Sequence, residues 1–147
     1  MAVGLHDFPI IPEIKGVRIG VAEAGIKRPN KKDVVIFELC EGASVAGVFT
    51  QNAFCAAPVR ICQKHLGLAG SRYLLINTGN ANAGTGKSGL ETALKTCEAL
   101  ADSVGVPVES VLPFSTGVIG EPLPMTKLLN GLSPALENLA SDVWPQA

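Results

Sequence analysis

No run in the sequence approaches the ~18 consecutive apolar residues a membrane-spanning helix needs. The opening MAVGLHDF lacks a basic region followed by an apolar stretch and does not read as a secretory signal. Charge is scarce. Asp, Glu, Lys and Arg make up 17% of the 147 residues, against about a quarter in ordinary soluble domains. The net charge is −1, so there is no basic field for nucleic acid or for an anionic membrane surface. Four cysteines (Cys40, Cys55, Cys62, Cys97) form no C-x-x-C pair, and the two histidines, His6 and His65, are far apart in sequence. That spacing argues against structural zinc and reads as free thiols in a reducing cytoplasm. Aromatics are few, so the core falls to Val, Ile, Leu and Ala. No internal repeat or low-complexity tract occurs.

What is abundant is small and apolar. Hydrophobic residues are 47% of the chain and the mean hydropathy is +0.32. The expectation is one domain, or part of one, buried on several faces or covered by a partner chain, and prone to associate when isolated.

Taken in order, residues 1–15 read as an extended lead-in. Residues 17–22 alternate, which predicts a strand with Val17, Ile19 and Val21 on one face. The turn from Gly25 to Lys32 gathers Lys27, Arg28, Lys31 and Lys32, a ligand patch or, more commonly, a solvated loop. Residues 33–40 and 45–50 read as a hairpin around Glu41–Ser44. Pro58 suits the first turn of a helix running to about Leu66. Apolar residues 73–76 predict a strand stopping at Asn77, then a loop of Thr, Gly, Asn and Ala. Ser88-Gly89-Leu90-Glu91 fits a capping box opening a helix with Leu90, Leu94, Cys97 and Ala101 on its apolar stripe, closed by Gly105 and Pro107. A short helical turn leads to Ser115-Thr116-Gly117, read as a small polar turn. Short helices follow over 125–132 and after Ser133.

Ala81 to Ser88 also matches a relaxed phosphate-binding loop, with Lys87 for the phosphates and Ser88 for Mg²⁺. No apolar run ending in Asp follows to supply a second metal contact, and extra loop separates the strand from the motif. A solvated Lys87 and an N-capping Ser88 explain the same residues. Nucleotide binding stays as the rival reading.

Three ordered segments carry a resemblance: INTGNANAGTG (Ile76–Gly86), PFSTGVIGEPLP (Pro113–Pro124) and GVFTQNAFCAAPV (Gly47–Val59). Together they resemble the ornithine acetyltransferase family, the bifunctional glutamate N-acetyltransferases of arginine biosynthesis. The resemblance runs from about Gly16 to the end. It implies an α/β fold, an α+β layered sandwich of sheets and helices. It also implies a precursor that cleaves itself into α and β chains, two of each forming a heterotetramer in the cytoplasm. The β chain's N-terminal Thr would be the nucleophile, taking acetyl from N-acetylornithine and passing it to glutamate through an acetyl-Thr ester. Some members accept acetyl-CoA as donor, and no bound cofactor is implied. Thr116 and Gly117 match the family's oxyanion-stabilising Thr-Gly.

Ser115 and the loop residues Asn77, Thr78, Gly79, Asn80 and Asn82 either line the same pocket or tie the loop together. The family's later α-chain motif and its cleavage junction are not in the sequence, so residues 1–147 read as a single N-terminal α-chain portion without a nucleophile. Alone it is expected to be inactive, and a non-catalytic remnant is the second rival.

Overall fold

The computed structural model describes residues 11–147; His6 and most of the expected lead-in lie outside the described residues. The elements run β1 (Val17–Ala22), β2 (Val34–Leu39), α1 (Ala57–His65), β3 (Tyr73–Asn80), α2 (Gly86–Val104), β4 (Val111–Val118), α3 (Met125–Asn130) and α4 (Leu132–Glu137). Short 3₁₀ turns occupy Val108–Ser110 and Trp144–Gln146.

The four strands form one sheet in the order β1-β2-β3-β4. β1–β2 and β2–β3 are antiparallel and β3–β4 is parallel. The parallel pair needs a crossover, and α2 supplies it.

Strand register assigns every side chain to a face. Ala22, Val34, Asn77 and Ser115 form one row across the sheet, and Gly20, Ile36, Leu75 and Pro113 the next. This face meets the helices. Val34, Ile36, Tyr73, Leu75 and Val111 join Ile61, Cys97, Leu100, Leu128 and Ala135 in the main core. The opposite face carries Ile19, Val21, Val35, Phe37 and Ile76, and the C-terminal segment covers only part of it. Trp144 packs edge-on against Phe37 with ring centroids 5.7 Å apart. Toward β4 the cover ends, and Phe114 is 43% exposed.

β1 forms where its alternation placed it, and Val17, Ile19 and Val21 share a face. α1 carries Pro58 in its first turn. Four expectations fail. Residues 45–50 form no strand, because β2 pairs with β1 and β3 and both its edges are taken. β3 runs on through Thr78-Gly79-Asn80, expected as loop, because β4 pairs alongside it. Ser115-Thr116-Gly117 is likewise strand rather than turn.

The fourth concerns helix starts. α2 begins at Gly86 after Thr85, with no side-chain cap, so Ser88 sits inside the first turn and the capping box is not made. Its buried stripe is Gly89, Ala93, Thr96, Cys97, Leu100 and Ala101, rotated from the expected one. Leu90 and Leu94 are only half-buried, while Lys95, Glu98 and Asp102 face out. Ser133 also lies inside α4, where its hydroxyl donates to Glu137 at 3.0 Å.

Candidate active site at the β3–β4 end

Parallel pairing sets Asn77 beside Ser115, Thr78 beside Thr116 and Gly79 beside Gly117. The two segments singled out in the sequence therefore lie side by side. They divide by face. Asn77 and Ser115 point toward the helices; Thr78 and Thr116 point to the open face and are exposed.

On the helix face the polar groups are used up. The Ser115 hydroxyl donates to Asn77 Oδ1 at 2.6 Å, and Asn77 Nδ2 donates to the Asn80 carbonyl at 2.9 Å. Asn80 Nδ2 donates to the Glu121 and Pro122 carbonyls at 3.1 and 3.2 Å, while its Oδ1 accepts from the Asn82 N–H at 2.8 Å. Asn82 Nδ2 donates to the Gly89 carbonyl at 2.9 Å, and its Oδ1 accepts from the Thr85 hydroxyl at 2.7 Å. These amides connect the end of β3, the segment after β4 and the start of α2. Asn77, Asn80 and Asn82 are 2%, 3% and 0% exposed. Of the two roles left open by the sequence, tying the loop together is the one their bonds express.

Asn82 also holds φ at 45°, a left-handed conformation that Asn tolerates better than most residues. Asn82→Ala removes two side-chain bonds and leaves the part-buried Thr85 hydroxyl without its acceptor. The variant is expected to lose about 2–4 kcal/mol of stability, read as a lower urea midpoint by circular dichroism. A loss below about 1 kcal/mol would remove the network's importance.

The open face is different. No hydrogen bond from another described residue engages the Thr116 hydroxyl, and Thr116 is exposed. Gly117 has φ +135°, outside the range open to L side chains. A Cβ there would lie 2.4 Å from Gly79 C and 2.6 Å from Asn80 N. Only glycine permits this approach of strand to strand. The pairing is irregular at the same point, with Asn80 opposite both Thr116 and Val118. Such bulges re-aim backbone groups at the ends of strands. β4 is also an edge strand, so alternate backbone amides face away from β3. An exposed hydroxyl and turned-out backbone beside a bulge can donate to one anionic oxygen.

The described residues hold no activated nucleophile beside this place. Burial pushes the Cys62 thiol up to about 11. Burial, with Cys62 and Glu98 nearby, pushes Cys97 up to about 12. Neither is a thiolate at neutral pH. Cys62 instead donates to the Pro113 carbonyl at 3.1 Å. His65 is a core histidine, its Nδ1 at 2.8 Å from the Val111 carbonyl. Among the described residues no group of three or more His, Cys, Asp or Glu is placed to hold a metal.

The nucleotide-loop alternative finds no geometry. Lys87 is 91% exposed and faces Glu91 at 3.8 Å, an ordinary helix-surface pair. Ser88 is exposed in the same turn. Among the described residues one strand pair is parallel and two are antiparallel, unlike the parallel sheets that carry phosphate loops. One neighbour went unforeseen: the basic loop before β2 lies against Thr78 and Gly79. The tie is a glycine contact, since a Cβ at Gly79 would sit 2.9 Å from Lys27 Cβ, and no sequence pattern signals it.

The sequence profile of the ArgJ family matches residues 18–146. The arginine biosynthesis bifunctional protein ArgJ of Pseudomonas syringae pv. tomato is 55% identical over 147 residues, all of this chain and 36% of that protein. The ArgJ protein of Colwellia psychrerythraea is 53% identical over 145 residues, 34% of its length. The chain thus spans about a third of the length of the relatives it matches. Among solved structures, the ornithine acetyltransferase of Mycobacterium tuberculosis, complexed with ornithine, superposes with a TM-score of 0.82 at 34% identity. That match covers 86% of this chain and 69% of the other. The ArgJ structure from Bacillus halodurans gives 0.76 at 37% identity, covering 80% and 62%. The fold is therefore the mixed α/β arrangement of these enzymes, and by profile, sequence and structure the chain belongs to the ArgJ family.

Proposed function

We propose that this chain is the oxyanion-binding N-terminal portion of an arginine-biosynthesis acetyltransferase. The reaction moves acetyl from N-acetylornithine, or from acetyl-CoA, to glutamate, giving N-acetylglutamate. It passes through an ester on a threonine that this chain does not contain. Each acyl-transfer step develops negative charge on the acetyl oxygen, and fixed donors aimed at that oxygen lower the barrier. Thr116 supplies its hydroxyl and Gly117 its backbone N–H. Ser115, Asn77, Asn80 and Asn82 hold those two donors in place, and Thr78 and Gly79 form the adjoining wall. The observation that carries the reading is the exposed Thr116-Gly117 pair, at a bulge on the uncovered sheet face.

The same face supports a docking place for the β chain. Phe114 and Ile76 leave it apolar and only partly covered, and Val48 and Ile119 are 101% and 63% exposed nearby. Apolar surface of this kind marks an interface. The nucleophilic threonine would arrive with the chain that covers it, in an assembly of two α and two β chains in the cytoplasm. Among the described residues no helix is long and apolar enough to cross a membrane.

The test is acetyl transfer from N-acetylornithine to glutamate. The purified 147-residue chain is expected to show no turnover. A chimera in which it replaces the matching segment of the Pseudomonas syringae relative is expected to turn over. Activity of the chain alone would sink the claim that it lacks the nucleophile. A folded but inert chimera would sink the acetyltransferase reading.

A further inference from the structure

Thr78 lies directly opposite Thr116, in the pair that precedes Gly79–Gly117 and the bulge. Both side chains leave the open face of the sheet and both residues are exposed. Among the described residues neither hydroxyl has a hydrogen-bond partner. The neighbouring pair is the opposite case, since Ser115 and Asn77 bond each other at 2.6 Å on the helix face.

Two features separate Thr78 from an ordinary surface threonine. Its backbone is fixed from both sides. The Thr78 N–H donates to the Asp33 carbonyl at 2.9 Å, and the ladder to β4 holds its other edge. A hydroxyl carried on such a strand is aimed with little further loss of freedom. The second feature is spacing. Neighbouring strands lie about 4.8 Å apart, so threonine hydroxyls in matching rotamers stand about that far from each other. They are too distant to bond one another. An oxygen about 2.75 Å from each fits between them, with the two donors subtending roughly 120° at it. The next row on the same face is Ile76 and Phe114. A chain covering that row would dry one side of the pair, and hydrogen bonds to charge strengthen where water is excluded.

We propose that Thr78 is a further catalytic residue, whose hydroxyl and that of Thr116 bracket the acetyl oxygen from two sides. The assignment rests on the acetyl-transfer reading, which names the oxygen. Thr78 keeps its proton throughout. It gives a hydrogen bond that strengthens as the carbonyl oxygen gains negative charge.

The test uses the chimera with the Pseudomonas syringae relative and compares Thr78→Val, which keeps the branched shape, with Thr78→Ser, which keeps the hydroxyl. Thr78→Val is expected to lower kcat about 10–100-fold and to leave KM within about twofold, since one hydrogen bond to a charged group is worth roughly that factor. Thr78→Ser should keep kcat within about threefold of the parent. The urea midpoint should be the same in all three proteins, because the hydroxyl is exposed and unbonded. A loss in Thr78→Val of less than about threefold, a change in KM alone, or equal losses in both variants overturns the role. So does a midpoint that falls together with kcat, which marks a structural threonine. Thr116→Ala separates this inference from the reading beneath it. A slow Thr116→Ala beside a fully active Thr78→Val keeps the oxyanion site and removes Thr78 from it. If Thr116→Ala is fully active, no oxygen lies between the pair and Thr78 falls with Thr116. A folded but inert chimera sinks the acetyltransferase reading and the role of Thr78 with it.

Discussion

Gly117→Ala is expected to destabilise the chain by about 3–5 kcal/mol, by combining backbone strain with overpacking. Natural domains hold only about 5–15 kcal/mol in total, so a substantial unfolded fraction at 37 °C is the expected phenotype. Two costs add. The φ of +135° is closed to an L side chain, and the new methyl would press into Gly79 C, Asn80 N and Gly79 Cα at 2.4, 2.6 and 2.8 Å. All three atoms are backbone of the paired strand. They can retreat only by opening the β3–β4 ladder, which also holds the Ala81 N–H to the Val118 carbonyl at 2.8 Å.

Gly105→Ala separates the two costs. Gly105 closes α2 at φ +70°, and a Cβ there meets nothing within 4 Å. That variant carries strain alone, about 1 kcal/mol. Urea denaturation followed by circular dichroism gives both numbers. Equal losses at the two positions would show that strand contact at Gly117 contributes nothing.

Legibility followed the range of the interactions. β1, the Pro58 helix start and the existence of α2 were readable, because alternation, a proline and a long amphipathic run are local signals. The start of α2 was misread. Ser88 and Glu91 fit the capping pattern, yet Asn82 and Thr85 one turn earlier bind each other and the Gly89 carbonyl, which draws the helix back to Gly86. The extension of β3 and the strand nature of Ser115-Thr116-Gly117 were invisible for a different reason. Gly and Asn are depleted from strands and mask the β-branched threonines beside them, and the long-range parallel pairing makes these residues strands.

The same pairing explains the candidate site. Motif resemblance marked Thr116 and Gly117 and left the stretch from Asn77 to Asn82 open between lining their pocket and tying its own loop, and the register places Thr78 opposite Thr116. Residue identity alone could not assign faces. Asn77 and Thr78 are adjacent polar residues in the sequence, but the two-residue period of the strand buries one among the helices and exposes the other.

Thr116→Ala, made in the chimera with the Pseudomonas syringae relative, is expected to lower kcat by about 10²–10³, the usual cost of one oxyanion donor. KM should change little, because the donor meets a developing charge and not the neutral acetyl group of the bound substrate. Thr116→Ser keeps the hydroxyl and should retain most of the rate. Stability gives the control. Thr116 is exposed and its hydroxyl binds no other described residue, so neither variant should move the urea midpoint by more than about 0.5 kcal/mol. Asn82→Ala should differ by lowering the urea midpoint, because its side chain ties the end of β3 to the start of α2. A hydroxyl that merely satisfies a neighbouring backbone group would give the opposite pattern, with Thr116→Ala losing stability and keeping kcat. A fall in kcat of less than about threefold, or a rise in KM alone, would remove Thr116 from the oxyanion site and leave Gly117 as the only donor this chain offers there.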